Sequence, residues 1–563
     1  MDIDVVIAIR LLGVAFVLLG AYIMMYKRSY PLFLLLYGAI SAAAFALLVD
    51  NLDLALWGLQ GDEITIAAMY QTFASLGAGA DFAYHHLPPF YPPGFFWLVS
   101  AIGAPLQLSG VGLMKLAGVI GFATFPLGTY LLAVVLHKKE GGSNMKLMRA
   151  VAFLAPLFML VIIGVDPMLG KPYEVLALGA TIFWTLSLWQ RAHADNWNKW
   201  DVLLYGIIGG IIAMVYYLWL AFAAISLLLA IVFIKRRLRY LLRLMSAAIV
   251  SFIILAPYAY PLFKAYTAIG MENWQTAFFV PDGLALWLPM VTQISVQSLL
   301  MLFGLCGMVY FWQKKPMKLL ASMLASAYVW WIMGLCLLLF FDTPFQEFRG
   351  FYLYAPAVLG TAAAFSAVYA YKQFDIANNK RTLYTISAVL LLVLCANSVF
   401  GTFIDDPKLQ EYRTEAAKID EETGTLAQFL GRSDTTVKTL HSVPQVQGFV
   451  PVNNVLYFNQ HNNHPAALFS ERMSFVESLA KATTTEQLTA INAASKFGPV
   501  ERFIFFDDKQ GGYHLFFHVD AFGKGIEEKI IEFDANLFSK ELFVERFKNR
   551  KYVVIERKTV ISE

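Results

Sequence analysis

The reactive side chains of this chain are gathered in a few polar islands. The first runs from Gly61 to Trp97, GDEITIAAMYQTFASLGAGADFAYHHLPPFYPPGFFW, and sets Asp62, Glu63, Asp81, His85 and His86 between long apolar stretches. Acids and imidazoles beside a bilayer usually mark a site. The adjacent carboxylates Asp62 and Glu63 suit a general base with a helper that binds the acceptor or tunes its pKa. A Gly-Asp-Glu start to a solvated helix accounts for the same residues. His85 and His86 lead into Leu-Pro-Pro-Phe-Tyr-Pro-Pro-Gly, whose prolines fix φ and restrict their predecessors, so the segment can hold a pocket wall, Tyr91 included, in place. Neighbouring histidines with no third ligand at a metal spacing point to hydrogen bonding with a phosphate or sugar, or to interfacial packing, ahead of a metal.

Three more islands follow. Asp166-Pro-Met-Leu-Gly-Lys-Pro-Tyr-Glu174 offers Lys171 to a phosphate, and Tyr173, Glu174 or Asp166 to a hydroxyl; an ion pair from Lys171 to Asp166 or Glu174 is the plainer alternative. DTPFQEFRGFYLY brings Glu347, Arg349 and Tyr352 together. Arginine grips phosphate bidentately, and its alternative is a pair with Glu347 or Asp342. FNQHNNHPAALFSER supplies His461, His464 and three asparagines beside Tyr457 and Phe458, a composition for binding carbohydrate or for an Asx-turn loop. The chain has no G-x-x-x-x-G-K-[ST], G-x-S-x-G or H-E-x-x-H motif, so a soluble nucleotide cofactor lacks support and none is expected.

The elements that position these islands are membrane helices. Of the 563 residues, 58% are hydrophobic and 15% charged, against about 25% charged in soluble domains, which makes this a polytopic membrane protein. A net charge of +3 is too small to argue for nucleic acid, and Cys306, Cys336 and Cys395 lie in apolar runs with no disulfide framework. A span needs about 20 apolar residues. Twelve runs qualify, near 5–26, 30–49, 115–136, 149–165, 174–190, 201–216, 218–234, 244–262, 291–312, 318–340, 351–371 and 382–402, the pair 201–216 and 218–234 being either two spans or one broken helix. Lysine and arginine cluster in alternate connections, which the positive-inside bias places in the cytoplasm; nearly all the acidic candidates then face outward. Residues 95–113 would break this parity as a span. They read as a re-entrant or interfacial hairpin, permitted by Gly103, Pro105, Gly110 and Gly112 where protein covers the broken backbone. Residues 1–404 form the membrane domain under this scheme. Residues 405–563 are charged and soluble in pattern, an extracytoplasmic α/β domain with an amphipathic helix over 409–431, short strands around 446–458, helices near 467–481 and 485–494, and β-type runs ERFIFF, YHLFFHV and KYVVIER.

The segments LPPFYPPGFFWLVSAIG, MKLAGVIG, KPYE, FNQHNNHPAALFSERMSFVESLA and FDANLFSKELFVERFKNRKYVVIERK, with a carboxylate pair in the first large outer loop, resemble membrane glycosyltransferases of the GT-C type. They are most similar to the arabinofuranosyltransferases that prime the galactan of mycobacterial-type cell walls. The resemblance implies a GT-C-like polytopic fold and inverting transfer of arabinofuranose from decaprenyl phosphate to galactan, without a nucleotide sugar. It implies Asp62 as general base and Glu63 as its helper. A leaving lipid phosphate needs cations, for which Lys171 and Arg349 are the candidates, with His85 and His86 beside them; Tyr91, Asp166, Tyr173, Glu174, Glu347 and His464 are the candidate substrate contacts. Transfer from another polyprenyl-phosphate sugar, such as mannose, or onto lipid A or protein is the runner-up. A polyprenyl-lipid transporter would need midplane polar residues and repeat symmetry, and neither is visible in the sequence.

Overall fold

The computed structural model describes residues 3–56, 58–59, 61–77, 79–139, 145–272, 294–341, 346, 348–373, 380–509 and 512–558. Each of the twelve expected spans holds a helix, although Met145–Ile163, Leu218–Phe233 and Val296–Tyr310 stop short of the expected bounds 149–165, 218–234 and 291–312. Nine helices among them are long and apolar enough to cross a membrane. Leu218–Phe233 and Val296–Tyr310 are apolar but shorter, and Pro172–Ala192 is diluted by Thr181, Thr185, Ser187 and Arg191. The chain over 199–229 forms two helices, Lys199–Tyr216 and Leu218–Leu229, that part at Tyr217.

Pro172–Ala192 nevertheless runs through the centre of the bundle, where all but three of its residues are buried. Its hydroxyls are satisfied locally: Thr181 and Thr185 donate to the carbonyls one turn back, Ala177 and Thr181, at 2.7 and 2.6 Å, and Ser187 shares a 2.6 Å bond with the Tyr205 hydroxyl. A second buried helix, Ala355–Gln373, is entered through a π-helical turn at Gly350–Tyr354. These two central helices carry Lys171 and Glu174 on one and Arg349 on the other.

Between the helices Tyr30–Val49 and Gly110–Lys139 lies the first island. Asp62–Leu76 is a helix and Gly94–Gly103 a shorter one; a 3-10 turn at Ala104–Leu106 and Gln107 at φ 52° reverse the chain. The Gly110 amide donates to Gln71 Oε1 at 2.7 Å, and a Cβ at Gly110 would run into the Ala67 carbonyl oxygen. Only glycine therefore lets the long helix begin this close to Asp62–Leu76. The hairpin tip is exposed, with Ile102 at 47% and Leu106 at 64%. Of the two alternatives for this hairpin, the interfacial one matches a tip that protein does not cover.

The C-terminal region carries a seven-stranded mixed sheet: β1 (Lys438–His441), β2 (Asn453–Asn454), β3 (Arg502–Asp507), β4 (Gly512–Ala521), β5 (Gly525–Asp534), β6 (Phe543–Lys548) and β7 (Tyr552–Arg557). β1 pairs parallel with β2 and β3; β3 pairs antiparallel with β4 and β7, β4 with β5, and β6 with β7. ERFIFF, YHLFFHV and KYVVIER lie in β3, β4 and β7 as the pattern indicates. The strands β5 and β6 escape it because their side chains are mostly solvated on both faces and lack alternation. The expected helix over 409–431 is two, Pro407–Ala416 and Glu421–Gly431, the second N-capped by Asp420, whose Oδ1 accepts from the Thr423 amide at 3.0 Å. Helices Phe469–Ala480 and Thr485–Ala493 complete the region.

This region shares one apolar core with the membrane helices. Thr65 Oγ1 lies 3.0 Å from the Tyr457 hydroxyl; Tyr84 donates to Asn463 Oδ1 at 2.6 Å and accepts from the Tyr457 amide at 3.0 Å. The two parts meet over the Asp62–Leu76 helix.

Candidate active site

Gly61, at φ 53°, turns the chain into the Asp62–Leu76 helix, whose first turn holds Asp62 and Glu63, the end where a helix dipole favours negative charge. Adjacent helical residues do not face the same way. Glu63 points into the core at 1% exposure while the Asp62 side chain is 44% exposed. The two carboxylates therefore occupy different environments, and Asp62 is the one that a substrate can reach.

Asp62 is paired with Lys171. Lys171 sits where Asp166–Gly170 ends, its amide bonded to the Pro167 carbonyl at 2.9 Å, and where Pro172 starts the central helix, so two helix-starting prolines fix its backbone. Arg349 heads the π-helical turn. Its Nε donates to Gln346 Oε1 at 2.7 Å, and its Nη1 stands 3.8 Å from Glu174 Oε2. Glu174 is 1% exposed, and its carbonyl accepts from the Trp219 indole at 2.8 Å. Two acids and two cations thus share one mutual field, which Tyr91 also enters.

Burial raises the Asp62 carboxyl, but the Lys171 ammonium and Arg349 guanidinium outweigh it and hold Asp62 below the usual carboxylate range. Burial lowers Lys171, and Asp62 and Glu174 more than reverse this, so its ammonium titrates higher than usual. Burial first, and then the Asp62 charge, push the Tyr91 phenol up to about 12. At neutral pH the centre holds an ionised base, two permanent cations and a neutral phenol. That set can accept a proton and neutralise a phosphate in the same place.

Of the other candidates, Tyr173 shares the field of Glu174, Tyr91 and Asp62, and the rest lie elsewhere. Tyr173 is buried in an aromatic stack with Phe96 and Tyr216, ring centroids 5.0 and 5.8 Å away, which ties the YPPGFFW segment to the central helix. Asp166 faces Asp406 and Lys408, and burial and the Asp406 charge raise it. His85 and His86 lie at the junction with the C-terminal region; the His85 amide bonds to Asn453 Oδ1 at 3.4 Å, and His86 feels Arg472 and Lys438. Burial holds both imidazoles down at about 4, so they are neutral at pH 7 and bring no charge to a phosphate. His464 is fully buried, its Nδ1 accepting from the Ala466 amide and its Nε2 facing the Pro88 carbonyl, both at 3.0 Å. That removes His464 from the substrate-facing set and makes it a pin between the Pro-Pro segment and the C-terminal region. Glu347 lies outside the described residues.

The tertiary linkages of His461 and Asp81 were not legible in the sequence. His461, whose Nδ1 lies 3.2 Å from Asp520 Oδ2, is within electrostatic reach of Asp62. No spacing links residues 62, 461 and 520. Asp81 is fully buried and accepts from the amides of Ala83, Tyr84 and Phe90, clamping the loop ahead of Tyr91; burial carries its carboxyl up to about 7 against those bonds.

The architecture is that of the GT-C membrane glycosyltransferases. It superposes on ArnT from Cupriavidus metallidurans bound to undecaprenyl phosphate with a TM-score of 0.51, at 12% identity over 89% of this chain and 98% of that one. Apo ArnT gives 0.50 at the same identity and coverage. No individually curated protein matches the sequence. The family model described as arabinofuranosyltransferase N terminal matches residues 5–399, well over half of the chain. The protein belongs to this arabinofuranosyltransferase family.

Proposed function

We propose that this protein transfers arabinofuranose, with inversion, from a polyprenyl phosphate such as decaprenyl phosphate to a cell-wall polysaccharide acceptor such as galactan, on the outer face of the membrane. The observation that carries the proposal is the meeting of Asp62, Lys171 and Arg349, which come from three loops far apart in sequence. Family membership supports the pentose. A bilayer-borne donor is supported by the shared fold of ArnT, a structure of which holds undecaprenyl phosphate.

In this mechanism the acceptor hydroxyl approaches Asp62 and gives up its proton to the carboxylate as its oxygen attacks the anomeric carbon. The bond from that carbon to the phosphate oxygen breaks, and its electron pair leaves with the lipid phosphate. Lys171 and Arg349 neutralise the charge that develops there, a large term where the cations are already in place. Lys171 spans both partners: it turns from Asp62 toward the phosphate as the proton moves. Residues 405–563 form the outer domain that covers the Asp62–Leu76 helix, which it meets at Thr65 through Tyr457.

The test is mass analysis of the product formed by purified protein from defined polyprenyl-phosphate sugars. The expected result is addition of a single pentose to a galactan-type acceptor. Transfer of a hexose in preference to the pentose, or none from any lipid-phosphate sugar, overturns the proposal.

A further inference from the structure

The bundle has a second polar centre, remote from Asp62. Lys171 stands at the start of the central helix; Trp189, Ala192 and His193 stand at its end. At about 1.5 Å per residue the 21-residue helix separates them by about 30 Å, the thickness of a hydrocarbon core. There a cavity of about 360 Å³ is lined by Lys235, Arg236, Arg239, Arg243, Lys315 and Lys318 against one carboxylate, Asp195.

The walls of this cavity are built. Asn198 caps the Lys199–Tyr216 helix, and Asp201 Oδ2 binds the Asn198 amide at 2.9 Å and Arg191 Nη2 at 2.7 Å, which fixes the connecting loop. Arg243 donates to the Ala192 and Ala194 carbonyls at 2.8 and 2.6 Å, and Arg236 and Arg239 reach Asp195 at 3.0 and 3.4 Å. The positive-inside bias explains basic residues at such an end, but not their convergence on one hollow. Two further observations ask for an anion. The helices Arg237–Ile269 and Lys315–Phe341 both begin here with cations and no acid in the first turn, against the preference of the helix dipole. Trp189 is 2% exposed and lines the cavity, and its indole N–H has no acceptor among the described residues.

An apolar groove of about 510 Å³ adjoins the cavity. Leu188, Leu241 and Leu244 line the groove where their neighbours Trp189, Tyr240 and Arg243 line the cavity. A free phosphate has no use for such a groove; a lipid does. We propose that this end of the bundle binds an anionic phospholipid, its phosphate among the six cations and at the Trp189 indole, and one acyl chain in the groove. The site is independent of the transfer chemistry at Asp62.

The experiment is native mass spectrometry of the delipidated full-length protein titrated with phosphatidylglycerol, phosphatidylcholine or inorganic phosphate. Because charge-assisted hydrogen bonds dominate such recognition, one phosphatidylglycerol is expected to bind at least about tenfold more tightly than phosphatidylcholine. The double variant Arg236→Gln/Lys318→Gln is expected to lose at least about tenfold in that affinity, and Trp189→Phe, which keeps the packing, several-fold. Ala224→Phe, which fills the groove without touching a charge, is expected to weaken the phospholipid and spare inorganic phosphate. Equal binding of the two lipids by the wild-type protein overturns the proposal without recourse to any variant. So does inorganic phosphate that competes as well as the phospholipid, or affinity unmoved by Trp189→Phe and Ala224→Phe.

Discussion

Replacing Lys171 by methionine separates its two proposed duties. The side chain is 12% exposed and ion-paired with Asp62, so the variant keeps the bulk of the stem and removes only the charge. As a cation on the leaving phosphate it is worth about as much as one preorganised donor in an oxyanion site, about 3–4 kcal/mol or a factor of about 10²–10³ in kcat. Its second duty is on the base. Burial raises the Asp62 carboxyl, and Lys171 is the larger of the charges that reverse this, with Arg349 behind it. Without Lys171 the carboxyl therefore titrates higher. Since the base must be ionised, the acidic limb of kcat/KM moves to higher pH. The assay is transfer of label from a polyprenyl-phosphate sugar by purified protein, followed between about pH 4 and pH 8, the span over which carboxylates and imidazoles titrate. A Lys171→Met protein that kept wild-type kcat and an unmoved acidic limb would refute both duties at once.

The remaining predictions concern one partner of the centre and the packing of the fold around it. Glu174→Gln leaves the buried Arg349 without its ion pair, and thermal unfolding of the purified protein should show a loss of about 3 kcal/mol with reduced transfer. His441 and His464 are buried and held neutral at about 4, below the ordinary imidazole value of 6.5. Unfolded chains therefore bind more protons between those values, and stability present above about pH 6.5 should drain away as pH falls toward 4. Melting midpoints should follow that course, and His464→Gln should flatten it. Gly110→Ala should lower folded yield through overpacking of about 1–3 kcal/mol against Ala67, read as the fraction surviving detergent extraction.

The membrane helices were legible because twenty-residue apolar runs have few alternatives in a chain this hydrophobic. Their inner ranking was not, since burial by neighbours and burial by lipid look alike in composition. Pro172–Ala192 sits at the centre because its polar residues bond to its own backbone and to Tyr205. Lys171 and Arg349 stood out as cations in loops otherwise poor in them, and Asp62 as one of a carboxylate pair, and the fold brings the three together. His85, His86, Asp166 and His464 had equally suggestive types, yet His85 bonds to Asn453 and His464 to the Pro88 carbonyl, while His86 and Asp166 feel the like charges of Arg472 and Asp406. Residue type gave no hint of those tertiary contacts. β5 escaped notice for the reverse reason: a ribbon solvated on both faces has no hydrophobic period.

Asp62 is the one carboxylate placed to act as the base. Single-turnover transfer from a labelled polyprenyl-phosphate pentose, comparing wild type with Asp62→Asn at equal protein level, tests it most directly. The expected result is loss of transfer in the variant with donor binding retained through Lys171 and Arg349. Transfer by Asp62→Asn at the wild-type rate would contradict the account.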